Sequence, residues 1–581
     1  MSAPTWAQFA LLAGLVLLLA PVMGRYMAAV FGGGHAPGDR VFLPLERVIY
    51  RLVGIDQDRE QRWTRYAGSL LVFSFVSIVV LYAIQRLQGS LPFNPDHRAA
   101  LNPFMSLNNA ASFTTNTDWQ SYVPESTVSI FTQTVGIVFQ NFMSAATGLA
   151  VAVALIRGLA RRKADTIGNF WVDITRAVTR ILLPISFVLA IFFMSQGVIQ
   201  NFHSQRSVAP VDRSLVAAKT DGQAAAKPTV PGGPVASQEA IKELGSNGGG
   251  YFNANSAHPF ESPTGLTNFV QMLAAAIIAF GLPFTFGRLV GSRRQGYVLF
   301  GVMLVLWAVP MVGTTYFETH GNPRLTAAGA DQKARATQGG GNLEGKEVRS
   351  GAAGAAMHGS DATSTSTGSV AGSHDSFTPL GGGIVMTNIL TGEYGPGGVG
   401  SGLYGLLVMA LVAVFIAGLM VGRTPGYLGK KIRAPDVKLA TIYVLFVPFV
   451  VLTFAGITVL LSTATSAVAN TGAHGFSEML YSYASAGNNN GSAFPGITVT
   501  SHWYEITLTV AILMGRFLLI VPVLAIAGGS ARKQPAPPTA GTFPTDGVLF
   551  GVLLVFVVVI VVSLTYLPAL ALGPIVEHLS L

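Results

Sequence analysis

The 581-residue chain contains no cysteine, and only 11% of its residues are charged. The first absence excludes disulfides and any thiolate metal site, and leaves the redox compartment open. The second takes the chain outside the usual range for a soluble protein of this length, because half of its residues are hydrophobic and its mean hydropathy is +0.50. The equipment of a nucleotide-driven enzyme is missing too. There is no phosphorylatable Asp in a motif such as Asp-Lys-Thr-Gly. The nearest approach to a phosphate-binding loop, Gly340-Gly341-Asn342-Leu343-Glu344-Gly345-Lys346-Glu347, ends in Glu347 where Ser or Thr should hold Mg²⁺, and it follows no strand. Nor is there room for a soluble catalytic domain, since the widest gap between long apolar segments is about 85 residues, from 316 to 402. His258, His320, His358, His374 and His474 are scattered and share no metal-ligand spacing. That argues against a membrane enzyme acting on lipid or cell-wall intermediates.

What the chain has is hydrocarbon-length apolar sequence. Ten segments are long enough to span about 30 Å, with approximate cores at 6 to 24, 67 to 87, 130 to 155, 179 to 198, 266 to 287, 297 to 316, 402 to 422, 440 to 461, 505 to 527 and 547 to 570. The first has no Lys or Arg before Arg25, so it reads as a spanning helix and not as a signal peptide. The expected fold class is an all-α polytopic membrane protein. Of the 36 Lys and Arg residues, 23 fall in alternate connections: Arg25 to Arg65, Arg157 to Arg180, Arg288 to Arg294, Arg423 to Lys438, and Arg532 with Lys533. By the positive-inside rule this face is cytoplasmic. The formal charge of +9 is thereby a topological signal and does not indicate nucleic-acid binding.

On the opposite face four polar stretches each lie between two apolar segments. They centre on Thr115-Asn116-Thr117-Asp118, Ser246-Asn247-Gly248-Gly249-Gly250, Ser366-Thr367-Gly368-Ser369 and Asn489-Asn490-Gly491-Ser492. Irregular backbone at membrane depth survives only where it lines a cavity or is enclosed by protein. A cation filter uses that exception by presenting backbone carbonyls in place of the ion's hydration shell. Gly reaches positive φ without steric cost, and Asn tolerates the left-handed region while adding a side-chain carbonyl. Any one of these stretches alone would read as a surface turn. Four in equivalent places point to a pore.

Residues 205 to 236 and 325 to 375 are rich in Ala, Gly, Ser, Thr and Pro and read as flexible excursions on the outer side. The third loop is the weakest of the four, because Gly351, Gly354, Gly359 and Asp361 make its expected pore helix poor by propensity. Asn490-Gly491-Ser492 matches a glycosylation sequon but falls inside a candidate filter. Arg516 lies in the middle of the 505 to 527 segment, where an unpaired charge costs several kcal/mol, so it should face protein or water. It reads either as a fixed positive charge below the filter or as a structural cap on loop carbonyls. Glu393, just before the 402 to 422 segment, offers a cation a carboxylate or is a solvated interfacial Glu. Asp118 adds negative charge near the first filter strand or makes an Asx turn.

These residues carry a family resemblance over nearly the full length. Thr115-Asn116-Thr117-Asp118-Trp119-Gln120, Gly248-Gly249-Gly250-Tyr251-Phe252-Asn253-Ala254-Asn255, His374-Asp375-Ser376-Phe377, Gly400-Ser401-Gly402-Leu403-Tyr404-Gly405, Gly422-Arg423-Thr424-Pro425 and Asn488-Asn489-Asn490-Gly491-Ser492-Ala493-Phe494 are its longest runs. The chain resembles the potassium-binding A subunits of the Kdp potassium-transporting ATPases, bacterial inner-membrane proteins of the potassium channel superfamily. The resemblance implies ten transmembrane helices, with four helix, pore-loop, helix repeats around a pseudo-fourfold pore and one extra helix at each end. The corresponding divisions are 1–66, 67–155, 156–296, 297–438, 439–527 and 528–581. It implies a potassium site at Asn116, Thr117, Asp118, Ser246, Asn247, Gly248, Thr367, Gly368, Asn489, Asn490 and Gly491, with Gln120 near the mouth and Glu393 and Arg516 bordering the ion path. Potassium is the transported ion, and no organic cofactor or catalytic residue is expected in this chain.

The implied partners are a P-type catalytic subunit that hydrolyses ATP and receives potassium through an intersubunit tunnel, a small single-span subunit, and a further small membrane peptide. Two departures stand out. Asp118 occupies a position where the family more often has Asn, and Gly426 stands where a Glu is usual. The competing reading is a stand-alone potassium channel or Trk-like secondary transporter, which shares the fourfold plan. Replacing Gly248 by Asp is expected to weaken discrimination between potassium and rubidium or sodium.

Overall fold

The structure is a computed structural model that describes residues 1–580 except 204, 209–228, 421, 423, 424 and 538–541, and leaves out the side chain of Glu393. Much of the 205 to 236 stretch, Arg423 and Thr424 of the family run, and part of the 528 to 581 division therefore lie outside the described residues. The chain opens with α1 (Ala3–Phe31). Four units of one plan follow, each a long helix, a shorter helix, a polar strand and a second long helix. The first is α2 (Trp63–Leu87), α3 (Pro103–Thr114) and α4 (Thr132–Ala160), and the second is α5 (Phe170–Ser195), α6 (Val235–Leu244) and α7 (Gly265–Leu289). The third comprises α8 (Arg293–His320), α9 (Gly351–Ser364), α10 (Pro379–Thr391) and α11 (Ser401–Met420). The fourth is α12 (Ala434–Thr458), α13 (Gly472–Gly487) and α14 (His502–Ala531), and α15 (Val548–Leu570) ends the series.

Among the described residues ten helices are long and apolar enough to cross a membrane. In every unit the helix after the strand is more enclosed than the one before it: 61 to 83% of its apolar core is buried, against 28 to 44%. The second helices therefore form an inner ring around the strands, and the first helices, with α1 and α15, form an outer ring whose apolar faces need lipid. Small residues let these helices touch at the backbone. A Cβ on Gly24 of α1 would stand 2.5 Å from the Gly281 carbonyl of α7, and one on Gly158 of α4 would stand 2.4 Å from the Ala527 carbonyl of α14.

Two features differ from what the residues alone suggest. The glycine-rich segment 351 to 364 is a regular helix, α9. Its polar groups meet fitted partners: Asp361 Oδ1 accepts from Trp307 Nε1 at 2.6 Å, and His358 spans Asn268 Oδ1 at 2.8 Å and Ser369 Oγ at 2.9 Å. Gly359 lies so close to the His374 ring that a Cβ would come within 2.8 Å of Nε2. Close packing thus overrides weak intrinsic propensity. The second difference is that helix resumes at Pro379, well before the expected 402, and is broken between Thr391 and Ser401, where Gly392, Gly395, Pro396, Gly397, Gly398 and Gly400 cannot sustain it.

The phosphate-loop look-alike is a structural clip. Lys346 pairs with Glu318 at 2.8 Å, with both side chains fully buried, and sits 4.5 Å above the Phe377 ring. On the face of the basic connections, Gly426–Tyr427 pairs antiparallel with Lys430–Lys431 in a short hairpin. That hairpin inserts Lys430 Nζ between the carbonyls of Gly158 (2.9 Å), Arg161 (2.5 Å) and Ser530 (2.9 Å). A cation there caps the C-terminal ends of α4 and α14 together.

Candidate ion-binding site

Each of the short helices α3, α6, α9 and α13 ends in the same way. The residue after it keeps a right-handed conformation, with φ and ψ of −93° and 1° at Thr115, −83° and 0° at Gly245, −89° and 4° at Thr365, and −98° and 10° at Asn488. The next residue crosses to positive φ: 64° at Asn116, 49° at Ser246, 53° at Ser366 and 51° at Asn489. Two residues further on φ is positive again, at 57° for Asp118, 86° for Gly248, 79° for Gly368 and 93° for Gly491. Between them the amides of Thr117, Asn247, Thr367 and Asn490 donate back to Ser112, Lys242, Ala362 and Ser485 at 3.0, 2.8, 2.9 and 2.9 Å. Alternation between the two helical hands turns successive carbonyls to one side of a strand, as a cation filter requires.

The four strands close into a ring. A Cβ built on Gly248 would stand 1.8 Å from the Thr367 carbonyl oxygen, one on Gly368 1.8 Å from that of Asn490, and one on Gly491 1.9 Å from that of Thr117. Strands two, three, four and one are thereby neighbours in that order. Strands one and two are joined by side chains: Asn116 Nδ2 donates to the Ser246 carbonyl at 2.5 Å, and Asn247 Nδ2 donates to Asn116 Oδ1 at 2.7 Å. Asn489 Nδ2 donates to Thr117 Oγ1 at 2.8 Å across the fourth and first strands. At the junction of the first strand with the second a side chain, that of Asp118, occupies the position held by glycine in the other three strands.

All eleven residues expected in the filter, Asn116, Thr117, Asp118, Ser246, Asn247, Gly248, Thr367, Gly368, Asn489, Asn490 and Gly491, fall on these strands and are buried or backbone-enclosed. Several buried oxygens of the region have no donor: both carboxylate oxygens of Asp118, Oδ1 of Asn247, and Oδ1 of Asn141 on α4. Buried polar atoms are ordinarily satisfied, so a group of orphaned oxygens fits a site for a cation or for water. Gln120 bridges the first two units just beyond the strands. Its Oε1 accepts from the Gly250 amide at 3.0 Å and its Nε2 donates to the Gly250 carbonyl at 3.2 Å. Arg516 is buried on α14 and donates from Nη2 to the Ser144 carbonyl of α4 at 3.2 Å, while Ser144 Oγ bonds Asn116 Oδ1 at 2.8 Å. It is one hydrogen-bonded residue away from the first strand. Glu393 lies in the turn Gly392–Tyr394 at the break between α10 and α11. That break runs close under the third and fourth strands, since Gly397 N donates to the Ser364 carbonyl at 2.9 Å and a Cβ on Gly392 would meet Asn488 Oδ1 at 2.6 Å.

Reasoning from the sequence missed a charged cluster behind the second strand. Lys242 Nζ is fully buried 2.7 Å from both Glu239 Oε2 and Glu261 Oε2, and 3.6 Å from Glu243 Oε1. The signal was present, since three ionisable residues at 239, 242 and 243 share one face of a short helix between two spans. It also missed that His474 has acidic company. His474 Nε2 meets Asp375 Oδ1 at 3.1 Å and its Nδ1 meets Glu577 Oε1 at 3.0 Å, and Asp375, His474 and Glu478 form the one His and carboxylate group of metal-ligand spacing among the described residues. Both ring nitrogens are already held by carboxylates. Burial works against a charge on this ring, but the hydrogen bonds to Asp375 and Glu577 outweigh it and raise its pKa to about 10. The group acts as an ionic strap joining α13, the loop after the third strand and the end of the last helix.

Ten crossing helices, inner and outer rings and a closed circle of four equivalent strands define a single-chain cation-pathway membrane protein of the helix, pore-loop, helix class. The chain belongs to the family described as "Potassium-transporting ATPase A subunit", whose family model matches residues 10–579. Among its relatives, the potassium-transporting ATPase potassium-binding subunit of Mycobacterium tuberculosis (strain ATCC 25618 / H37Rv) is 53% identical over 581 residues, covering all of both chains. The protein of the same description from Koribacter versatilis (strain Ellin345) is 49% identical over 587 residues, covering 100% of this chain and 99% of its own. Among solved structures, the potassium transporter TrkH from Vibrio parahaemolyticus superposes with a TM-score of 0.51 over 88% of this chain and 96% of its own, at 12% identity. That likeness is one of fold.

Proposed function

We propose that this chain is the potassium-binding and potassium-selecting subunit of an ATP-driven uptake complex in a bacterial inner membrane. The observation that carries the reading is the closed ring of four strands that cross to positive φ at the same two positions, with buried oxygens of the same region left without donors. Asn116, Thr117, Asp118, Ser246, Asn247, Gly248, Thr367, Gly368, Asn489, Asn490 and Gly491 build the potassium site, mostly through backbone carbonyls. Rigid spacing of those carbonyls favours the ion whose hydration shell they replace best. Gln120 stands at the outer mouth, and Arg516 and Glu393 border the path below. The basic connections face the cytoplasm, which puts the ring toward the outside. ATP is hydrolysed by a separate P-type subunit that receives potassium from the filter through an intersubunit tunnel, with a small single-span subunit and a further membrane peptide completing the complex.

The test is potassium-stimulated ATP hydrolysis in a complex purified through a tag on this chain, beside the chain purified alone. Hydrolysis by the complex only, activated by potassium and not by sodium, is the expected result. A chain that recruits no ATPase and conducts potassium by itself in liposomes would be a stand-alone channel or Trk-like transporter, and the proposal would fall.

A further inference from the structure

The Gly248 carbonyl accepts a hydrogen bond from a side chain. Asn255 Nδ2 donates to it at 2.6 Å, and no side chain makes a corresponding bond to the carbonyls of Asp118, Gly368 or Gly491 among the described residues. A primary amide can present either its oxygen or its nitrogen, and its surroundings decide which. Around Asn255 Oδ1 there are only donors: Lys242 Nζ at 2.9 Å, the Ser256 amide at 2.8 Å and the Val370 amide at 3.3 Å. The ammonium is itself fixed, since Glu239, Glu261 and Ser256 Oγ (2.8 Å) also surround it. Reversing the amide would set oxygen against the Gly248 carbonyl and nitrogen against a buried cation. The same cluster reaches the third strand, because Ser369 Oγ donates to Glu243 Oε2 at 3.2 Å and Val370 directly follows it.

We propose that Asn255, its amide oriented by the buried Lys242, is a positioning residue that sets the place and field of the Gly248 carbonyl in the filter and thereby its ion discrimination. The proposal rests on reading the ring as a potassium filter. A carbonyl already accepting one short hydrogen bond is fixed in position and offers a passing ion a weaker field than a free one. One of the four strands is thus tuned separately from the rest, by a lever outside the pore.

The test uses the purified complex. Asn255→Asp is nearly isosteric; it keeps the acceptor for Lys242 and the two amides and replaces the donor to Gly248 by an oxygen. Asn255→Gly suits the backbone φ of 53° at this residue and removes both groups. Both variants are expected to assemble and to keep a near wild-type maximal rate of potassium-stimulated hydrolysis. The ratio of half-saturating rubidium to half-saturating potassium should fall about tenfold, the scale of one lost hydrogen bond. A purely structural residue would lower the maximal rate and the melting temperature and leave the ratio alone. That outcome, a wild-type ratio in an assembled variant, or failure of both variants to assemble overturns the proposal. If the wild-type complex itself does not prefer potassium, the filter reading fails and this proposal falls with it.

Discussion

A single methyl group at Gly248 tests the ring geometry most directly. Two separate costs attach to Gly248→Ala. The first is conformational: at φ of 86° an alanine is strained by about 1 to 2 kcal/mol. The second is steric. The new Cβ would stand 1.8 Å from the Thr367 carbonyl oxygen, whereas a carbon and an oxygen in contact need roughly 3.2 Å. The carbonyl of the third strand must therefore retreat by more than about 1 Å, and the neighbouring atoms, Gly368 C and Ser369 N at 2.7 Å, are also backbone and cannot swing aside. A misplacement of about 1 Å in a preorganised site costs on the order of 100-fold. Potassium affinity in Gly248→Ala should fall by about that factor, and discrimination against sodium should fall with it. Gly33→Ala isolates the first cost, because Gly33 has φ of 80° and nothing within 4 Å of its would-be Cβ. It should lose about 1 kcal/mol of stability and bind potassium normally. The assay is potassium-stimulated ATP hydrolysis titrated with potassium and sodium in the complex, with thermal unfolding of both variants alongside. A Gly248→Ala complex with wild-type half-saturation would refute the ring.

Asp118→Asn removes a buried carboxylate that has no donor partner, so it should weaken potassium binding by about tenfold and shrink the rise in melting temperature that potassium produces. An unchanged potassium-dependent rise would show that Asp118 does not sense the ion. His474→Gln breaks the strap to Asp375 and Glu577 and should cost about 2 kcal/mol, between the values for exposed and buried pairs. Because the folded pKa of His474 is raised to about 10 from about 6.5, its contribution is complete below about pH 6.5, declines above that, and is gone once pH passes about 10. The wild-type and His474→Gln unfolding curves should therefore converge toward pH 10, and a gap that stays constant from pH 6 to pH 10 would contradict the assignment.

The ten crossings and the places of the four strands were legible because hydrophobic length and the Gly, Asn and Thr clusters are local properties of sequence. The third short helix was not, since Gly351, Gly354 and Gly359 lower helix propensity while the partners that rescue it, Trp307, Asn268 and His374, lie on other elements. Likewise the break between α10 and α11 hid inside what looked like a connecting loop. The buried Lys242 cluster required Glu261 and Asn255 to return beside α6, which no spacing rule foretells. Asp118 was visible as a departure in sequence. Its unsatisfied carboxylate, at the one junction of the ring not occupied by glycine, could be seen only in three dimensions.

That asymmetry has a consequence for how such a pore can evolve. A pore assembled from four copies of one subunit repeats every substitution four times, so an acid placed at the glycine position would arrive as four acids facing one another. Here the four strands are encoded separately. One of them carries Asp118 and the other three keep Gly248, Gly368 and Gly491. The number of acidic groups in the ring can therefore be adjusted one at a time, and the strands can be tuned singly while the fourfold backbone is kept.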